Sequence, residues 1–258
     1  MVLRYEKKDK VAKITLNRPE VMNAINLELA EELFRAWGDF VDDPNRVVLL
    51  ITGAGDKAFC TGADLKERGR RGEDVHVSSF WDASFRLPMR DKECFKPVVA
   101  AINGHCLAGG LELALLCDIR IASENAAFGQ PEIHWGIFPG MGATQRLPRI
   151  LPYNLAAEIL FIGRHIPAAR ALEIGLVNQV VPFQDLMDTA WALAEEISEK
   201  GPLALRAVKE ALLRSYDLPL AQGLRLEGLL RRIVGDTQDA LEGMTAFQEK
   251  RKPRFTGR

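Results

Sequence analysis

Residues 96–146 read KPVVAAINGHCLAGGLELALLCDIRIASENAAFGQPEIHWGIFPGMGATQR, and the fold turns on them. Val98–Ile102 is apolar without alternation, as expected of a strand covered on both faces. Asn103-Gly104 turns the chain, and Ala108-Gly109-Gly110 makes a second turn with too little bulk to keep a ligand from the backbone. The spacing then predicts a helix over about Leu111–Leu116, with Glu112 in its first turn, and a strand over Ile119–Ala122. Glu132 follows in Gln130-Pro131-Glu132, ahead of a turn at Pro139-Gly140. Two acids beside exposed backbone N–H groups point to proton transfer on a carbonyl compound.

Towards the N-terminus, Val2–Lys8 and Val11–Leu16 read as strands joined at Asp9-Lys10. Asn26 is a good N-cap for a helix whose apolar face is Leu29, Leu33, Phe34, Trp37 and Phe40, and Asp42-Asp43-Pro44 ends it. Val47–Thr52 reads as another buried strand, which Gly53–Asp56 turns into a second small-residue turn at Gly62-Ala63. Residues 66–80 are polar and read as a surface loop; Phe80, Trp81, Phe85 and Leu87 restore apolar bulk as a helix broken near Pro88.

Beyond Arg146, helices are expected over Leu155–Phe161 and Ala168–Ile174, then a strand over Val177–Val181. From Asp185 the pattern is helical throughout, at about 185–199, 203–215, 219–234 and 238–250, with Pro202, Pro219 and Thr237 marking starts. Alternation to about residue 181 predicts an α/β core, and the helical tail is a lid or an assembly surface.

Composition excludes several classes of function. The 258 residues are 47% apolar and carry a net charge of −1, which gives no electrostatic footprint for nucleic acid. Cys60, Cys94, Cys106 and Cys117 lack metal-site spacing and lie in or beside apolar runs, so buried reduced thiols are expected, with no metal and a cytoplasmic setting. No apolar run has the length of a membrane span, and MVLRYEKKDK lacks the apolar core of a signal peptide.

Gly109-Gly110 alone is an ordinary turn, and it is neither a dinucleotide fingerprint nor a P-loop. With Gly62-Ala63 it gains a second meaning, because two such turns can offer two N–H groups to one oxygen. Glu112, flanked by Leu111 and Leu113–Leu116, is either a first-turn complement to the helix dipole or a catalytic group. A carboxylate in an apolar wall has its pKa raised towards neutrality, which suits an acid or base. His105 and His134 read as core residues and Asp64 as a helix cap; Trp81, Phe85 and Trp135 read as core aromatics, with an acyl pocket as the other reading.

Several separated motifs, in order, resemble the enoyl-CoA hydratase/isomerase (crotonase) superfamily. They are Asn17-Arg18-Pro19, Phe59–Leu65, Lys96–Ile121, Phe128–Glu132, Gly136–Arg146, Gly175-Leu176-Val177 and Glu242–Arg251. The resemblance implies an α/β fold: a spiral of β-β-α turns over residues 1–195 carrying an acyl-CoA site, then a helical region over 196–258 that assembles trimers, or hexamers built from them. It implies oxyanion N–H donors at Ala63 and Gly109 and two hydratase acids at Glu112 and Glu132. Lys57, Asp64, Leu65 and Lys66 match positions along the bound CoA, and Phe247 and Lys250 match a pair reaching the CoA of a neighbouring subunit. The implied reaction is hydration of an enoyl-CoA without metal or redox cofactor. A double-bond isomerase of the same fold, a hydratase specialised for branched or cyclic enoyl groups, and a binding protein with a vestigial site are the alternatives. Met141, bulkier than the usual residue, Ala143 in place of glycine, and His134-Trp135 in place of aliphatics depart from the family pattern near Glu132.

Overall fold

The computed structural model describes residues 1–66 and 92–258. The loop expected after Lys66 and the helix around Phe80–Leu87 lie outside the described residues.

The strands form two sheets. The larger runs β1 (Leu3–Lys8), β2 (Val11–Leu16), β3 (Val48–Gly53), β5 (Val98–Ile102), β7 (Ile119–Ser123) and β10 (Gln179–Val181) side by side. Only the β1–β2 hairpin is antiparallel; the other pairs are parallel, with Leu49 opposite Val98 and Ala101 opposite Ile121. The smaller sheet orders β4 (Ala58–Cys60), β6 (His105–Leu107), β8 (Ala127–Gly129) and the two-residue β9 (Ile166–Pro167). Thus β3, β5 and β7 each join the large sheet, and the strand that follows each joins the small one. This repeated step is the spiral of turns expected from the family resemblance.

Central strands are apolar because both their faces are covered. Every residue of β3 and β5 is buried. One face packs against the small sheet and α1 (Leu27–Asp42), through Leu29, Leu33, Trp37, Phe40, Phe59 and Phe128. The other is covered by α6 (Leu186–Ser198), which inserts Leu186, Ala190 and Ala194 over Val48, Leu50 and Val99. Asn26 caps α1, its Oδ1 accepting the Leu29 N–H at 3.0 Å, a bond whose loss costs ~1 kcal/mol. The four cysteines are buried free thiols, as expected, and burial pushes those of Cys60 and Cys117 up to about 12.

Two buried asparagines hold the corners of the spiral. Asn23 Nδ2 donates to the carbonyls of Ala54 and Ala58, and Asn103 Nδ2 to those of Gly55 and Ala58. Side-chain amides replace the sheet bonds that the chain forgoes as it passes between layers.

Between the sheets and the tail come α2 (Gly109–Ala114), α3 (Ala143–Ile150), α4 (Tyr153–Ile162) and α5 (Ala168–Glu173). The tail is α7 (Pro202–Arg214), α8 (Leu220–Gly235) and α9 (Gln238–Gln248), starting at or beside Pro202, Pro219 and Thr237 as the sequence indicates. α7 is tied to the core by Lys209, whose Nζ donates to the Lys96 carbonyl at 2.8 Å and pairs with Asp118 at 2.8 Å. Val208, Leu212 and Leu213 of α7 are exposed, as are Leu229 and Ile233 of α8. No helix among the described residues is long and apolar enough to cross a membrane.

Candidate active site

The turns at Gly62-Ala63 and Ala108-Gly109 meet because Gly62 carries no β-carbon. Gly62 has φ +88°, and a β-carbon there would stand 2.7 Å from Ala108 Cβ and 3.0 Å from the Gly109 nitrogen. Gly110 allows α2 to sit on β4, since a β-carbon on it would fall 2.1 Å from the Cys60 carbonyl oxygen. The helix therefore begins two residues earlier than its apolar pattern indicates, at Gly109.

Each turn leaves an N–H unspent among the described residues. Ile25 bridges the first turn as a parallel strand would: its N–H donates to Gly62 O at 2.7 Å and its carbonyl accepts from Asp64 N at 2.9 Å. Such a bridge engages the neighbours of Ala63 and turns the Ala63 N–H outward. Gly109 is the first residue of α2, where a backbone N–H has no intrahelical acceptor. Among the described residues, neither N–H has a hydrogen-bond partner. Ala108, which directs the second of them, holds φ +51° and ψ −128° although it is not glycine.

Glu112 lies one helical turn on and is 1% exposed. Its Oε1 accepts the N–H groups of Met141 at 2.8 Å and Ala143 at 2.9 Å, at the start of α3. Burial raises its pKa; those N–H donors and Arg146 oppose the rise without cancelling it. Glu132, 8% exposed, sits on a single 3-10 turn, Pro131–Trp135. Its pKa is raised to about 7, first by burial and then by the nearby charge of Glu112. Gln130, fully buried, stands beside it; with its amide nitrogen turned to the carboxylate it donates to both oxygens at 2.9 Å.

Ala63, Gly109, Glu112 and Glu132 are thus brought together from three separate stretches, with Gly109 and Glu112 sharing α2. Asp64 is adjacent, and its carboxylate pairs with Arg18 at 3.0 Å, in addition to its place at the start of a helix. Arg18 also donates to Ala24 O, so it clamps the segment that positions Ala63. Lys57, Leu65 and Lys66 are exposed on the same run of chain. Phe247 and Lys250 stand elsewhere, exposed at the end of α9, whose neighbours are α8 and the C-terminal residues. Two expectations for core residues need correcting. Trp135 is 67% exposed and His134 is exposed, because a single 3-10 turn on the surface has only one buried face, which Glu132 takes. His105 is part-buried beside His165, and its Nδ1 is without a partner. Gln130 and Arg18 are the site residues that the sequence reading left without a role; the signal for Gln130 was its place two residues from an acid in an otherwise apolar segment.

Comparison with known proteins gives the family. The sequence profile described as Enoyl-CoA hydratase/isomerase matches residues 6–258. The chain is 41% identical over 257 residues to (E)-benzylidenesuccinyl-CoA hydratase of Thauera aromatica, covering 100% of both proteins. It is 40% identical over 247 residues to the short-chain-enoyl-CoA hydratase of Clostridium acetobutylicum, covering 96% of this chain and 94% of that protein. Its fold superposes on a crystal structure of enoyl-CoA hydratase from Bacillus anthracis with a TM-score of 0.91 at 40% identity, over 100% of both chains. Since profile, relatives and superposition all run essentially the length of the chain, it belongs to the enoyl-CoA hydratase/isomerase (crotonase) family.

Proposed function

We propose that the chain is an enoyl-CoA hydratase, adding water across the double bond of a 2,3-unsaturated acyl-CoA to give the 3-hydroxyacyl-CoA. The observation that carries this reading is the pair of buried acids, Glu112 and Glu132, beside two N–H groups that have no partner among the described residues. Isomerisation needs one acid to shuttle a proton; activating water at C3 and protonating C2 uses two.

In this reading the thioester oxygen accepts from the Ala63 and Gly109 N–H groups, which hold the charge that develops as the enolate forms. Glu112 takes a proton from water, and its raised pKa makes it a stronger base than an exposed glutamate. Glu132, with a pKa of about 7, is protonated often enough near neutrality to deliver a proton to C2. The thioester carbonyl is the electron sink, so the reaction needs no metal or redox cofactor. Lys57, Asp64, Leu65 and Lys66 line the path of the CoA. The uncovered apolar faces of α7 and α8 support assembly into trimers or hexamers, in which Phe247 and Lys250 reach a neighbour's CoA. The buried thiols fit a cytoplasmic location.

Loss of the conjugated thioester's ultraviolet absorbance with crotonyl-CoA tests the activity. Glu112→Gln and Glu132→Gln should each lower kcat by roughly 10²–10⁴ while product-like CoA still binds. A variant with wild-type turnover would remove that acid from the mechanism.

A further inference from the structure

One side chain occupies the place where the two donor turns, Glu112 and the start of α3 converge. Met141 is pinned through its backbone on both sides: its N–H donates to Glu112 Oε1 at 2.8 Å, and its carbonyl accepts from Arg146 Nη1 at 2.8 Å. Any residue except proline preserves both bonds, so the side chain is free to vary without disturbing the carboxylate. That side chain lies on Gly109. Met141 Sδ is 3.2 Å, and its methyl carbon 4.0 Å, from the point where a β-carbon of Gly109 would stand. The same point is 3.4 Å from Gly62 Cα, so the thioether sits at the gap between the two turns. Met141 is only half-buried.

A thioester whose oxygen lies between the Ala63 and Gly109 N–H groups must hold C2 and C3 within reach of Glu112 and Glu132. Glu112 is bonded to the Met141 N–H, so the carbon that receives water lies close to the Met141 side chain. We propose that Met141 determines specificity for the substituent on C3. Its thioether narrows the space beside Gly109, admitting a methyl or short unbranched group and disfavouring a broad rigid one such as an aryl ring. The inference rests on the hydratase reading and adds the acyl group to it. Methionine is unbranched and flexible, so it narrows this space by occupancy, and a shorter residue would open it.

The test is kcat/KM for crotonyl-CoA and for cinnamoyl-CoA with the wild-type protein, Met141→Ala and Met141→Phe. One methylene in an apolar pocket is worth roughly 10–200-fold in discrimination. Met141→Ala should therefore raise the cinnamoyl-to-crotonyl ratio by at least about tenfold. Met141→Phe should lower it below the wild-type value. A ratio unchanged in both folded variants, or equal losses on both thioesters, overturns the proposal. Should the alanine variant fail to fold by circular dichroism, the direction of the phenylalanine ratio decides. A wild-type protein that hydrates neither thioester would overturn the hydratase reading and this inference with it, an outcome distinct from hydration with an unaltered ratio.

Discussion

Gly62→Ala asks whether the meeting of two turns makes the site. The added β-carbon would lie 2.7 Å from Ala108 Cβ, whereas ordinary contact begins at 3.4 Å, so the turns must part by about 0.7 Å. A misplacement of ~1 Å costs about 10²-fold in rate, and loss of an oxyanion donor costs about 10²–10³. A fall in kcat of roughly 10–100-fold is expected on that scale. The substitution also forces a side chain into left-handed backbone at φ +88°, which costs ~1–2 kcal/mol by itself. Gly175→Ala separates the two effects: its φ is +79° with nothing within 4 Å of the new carbon, and it stands at the end of α5. Both variants should lose about 2–4 °C in Tm per kcal/mol of strain, and only Gly62→Ala should lose turnover of crotonyl-CoA. If Gly62→Ala melts like Gly175→Ala yet keeps wild-type kcat, the approach of the turns does not position a donor.

Three further tests address charge. Glu132 must be protonated to serve as the acid, a state present below about pH 7 and lost as the pH rises through it, so kcat/KM for hydration should fall on the alkaline side. Gln130→Leu removes N–H bonds that favour the ionised carboxylate, so it should move that limb to higher pH; an unmoved limb would deny Gln130 a hold on Glu132. Lys250→Glu should raise KM for acyl-CoA, spare a pantetheine thioester that lacks the nucleotide, and matter less as salt increases. Equal losses on both thioesters would refute the nucleotide contact, and a stable active monomer by light scattering would refute the shared site.

What the sequence made legible was local. β3 and β5 announce themselves as unbroken apolar runs because both their faces are buried, and Asn26 marks the start of α1 because its side chain does a job that few residue types can do. Glu112 stood out because an acid among leucines needs a reason. The small sheet was illegible: β4, β6 and β8 are three residues each, too short for any period, and they exist through pairing with one another across the layers. α3 was missed for a related reason, since Pro148 lies within it and its start is fixed by N–H bonds to Glu112, 31 residues earlier in the chain. The meeting of Gly62 with Ala108 is a contact between distant segments, and the exposure of Trp135 depends on how its turn lies on the surface; neither is written in the neighbours of those residues.

Ala108 sets stiffness against ease. Its φ of +51° with ψ of −128° suits glycine, and a side chain there makes the native conformation harder to reach. Glycine would relieve that tension, but it would also give the peptide between residues 108 and 109 more angles to sample. The N–H of that peptide is the one Gly109 offers to a ligand, and its aim is worth more to a reaction than its comfort is to the fold. The alanine methyl acts like the stop on a hinge: it narrows the range of headings open to the donor before any substrate arrives.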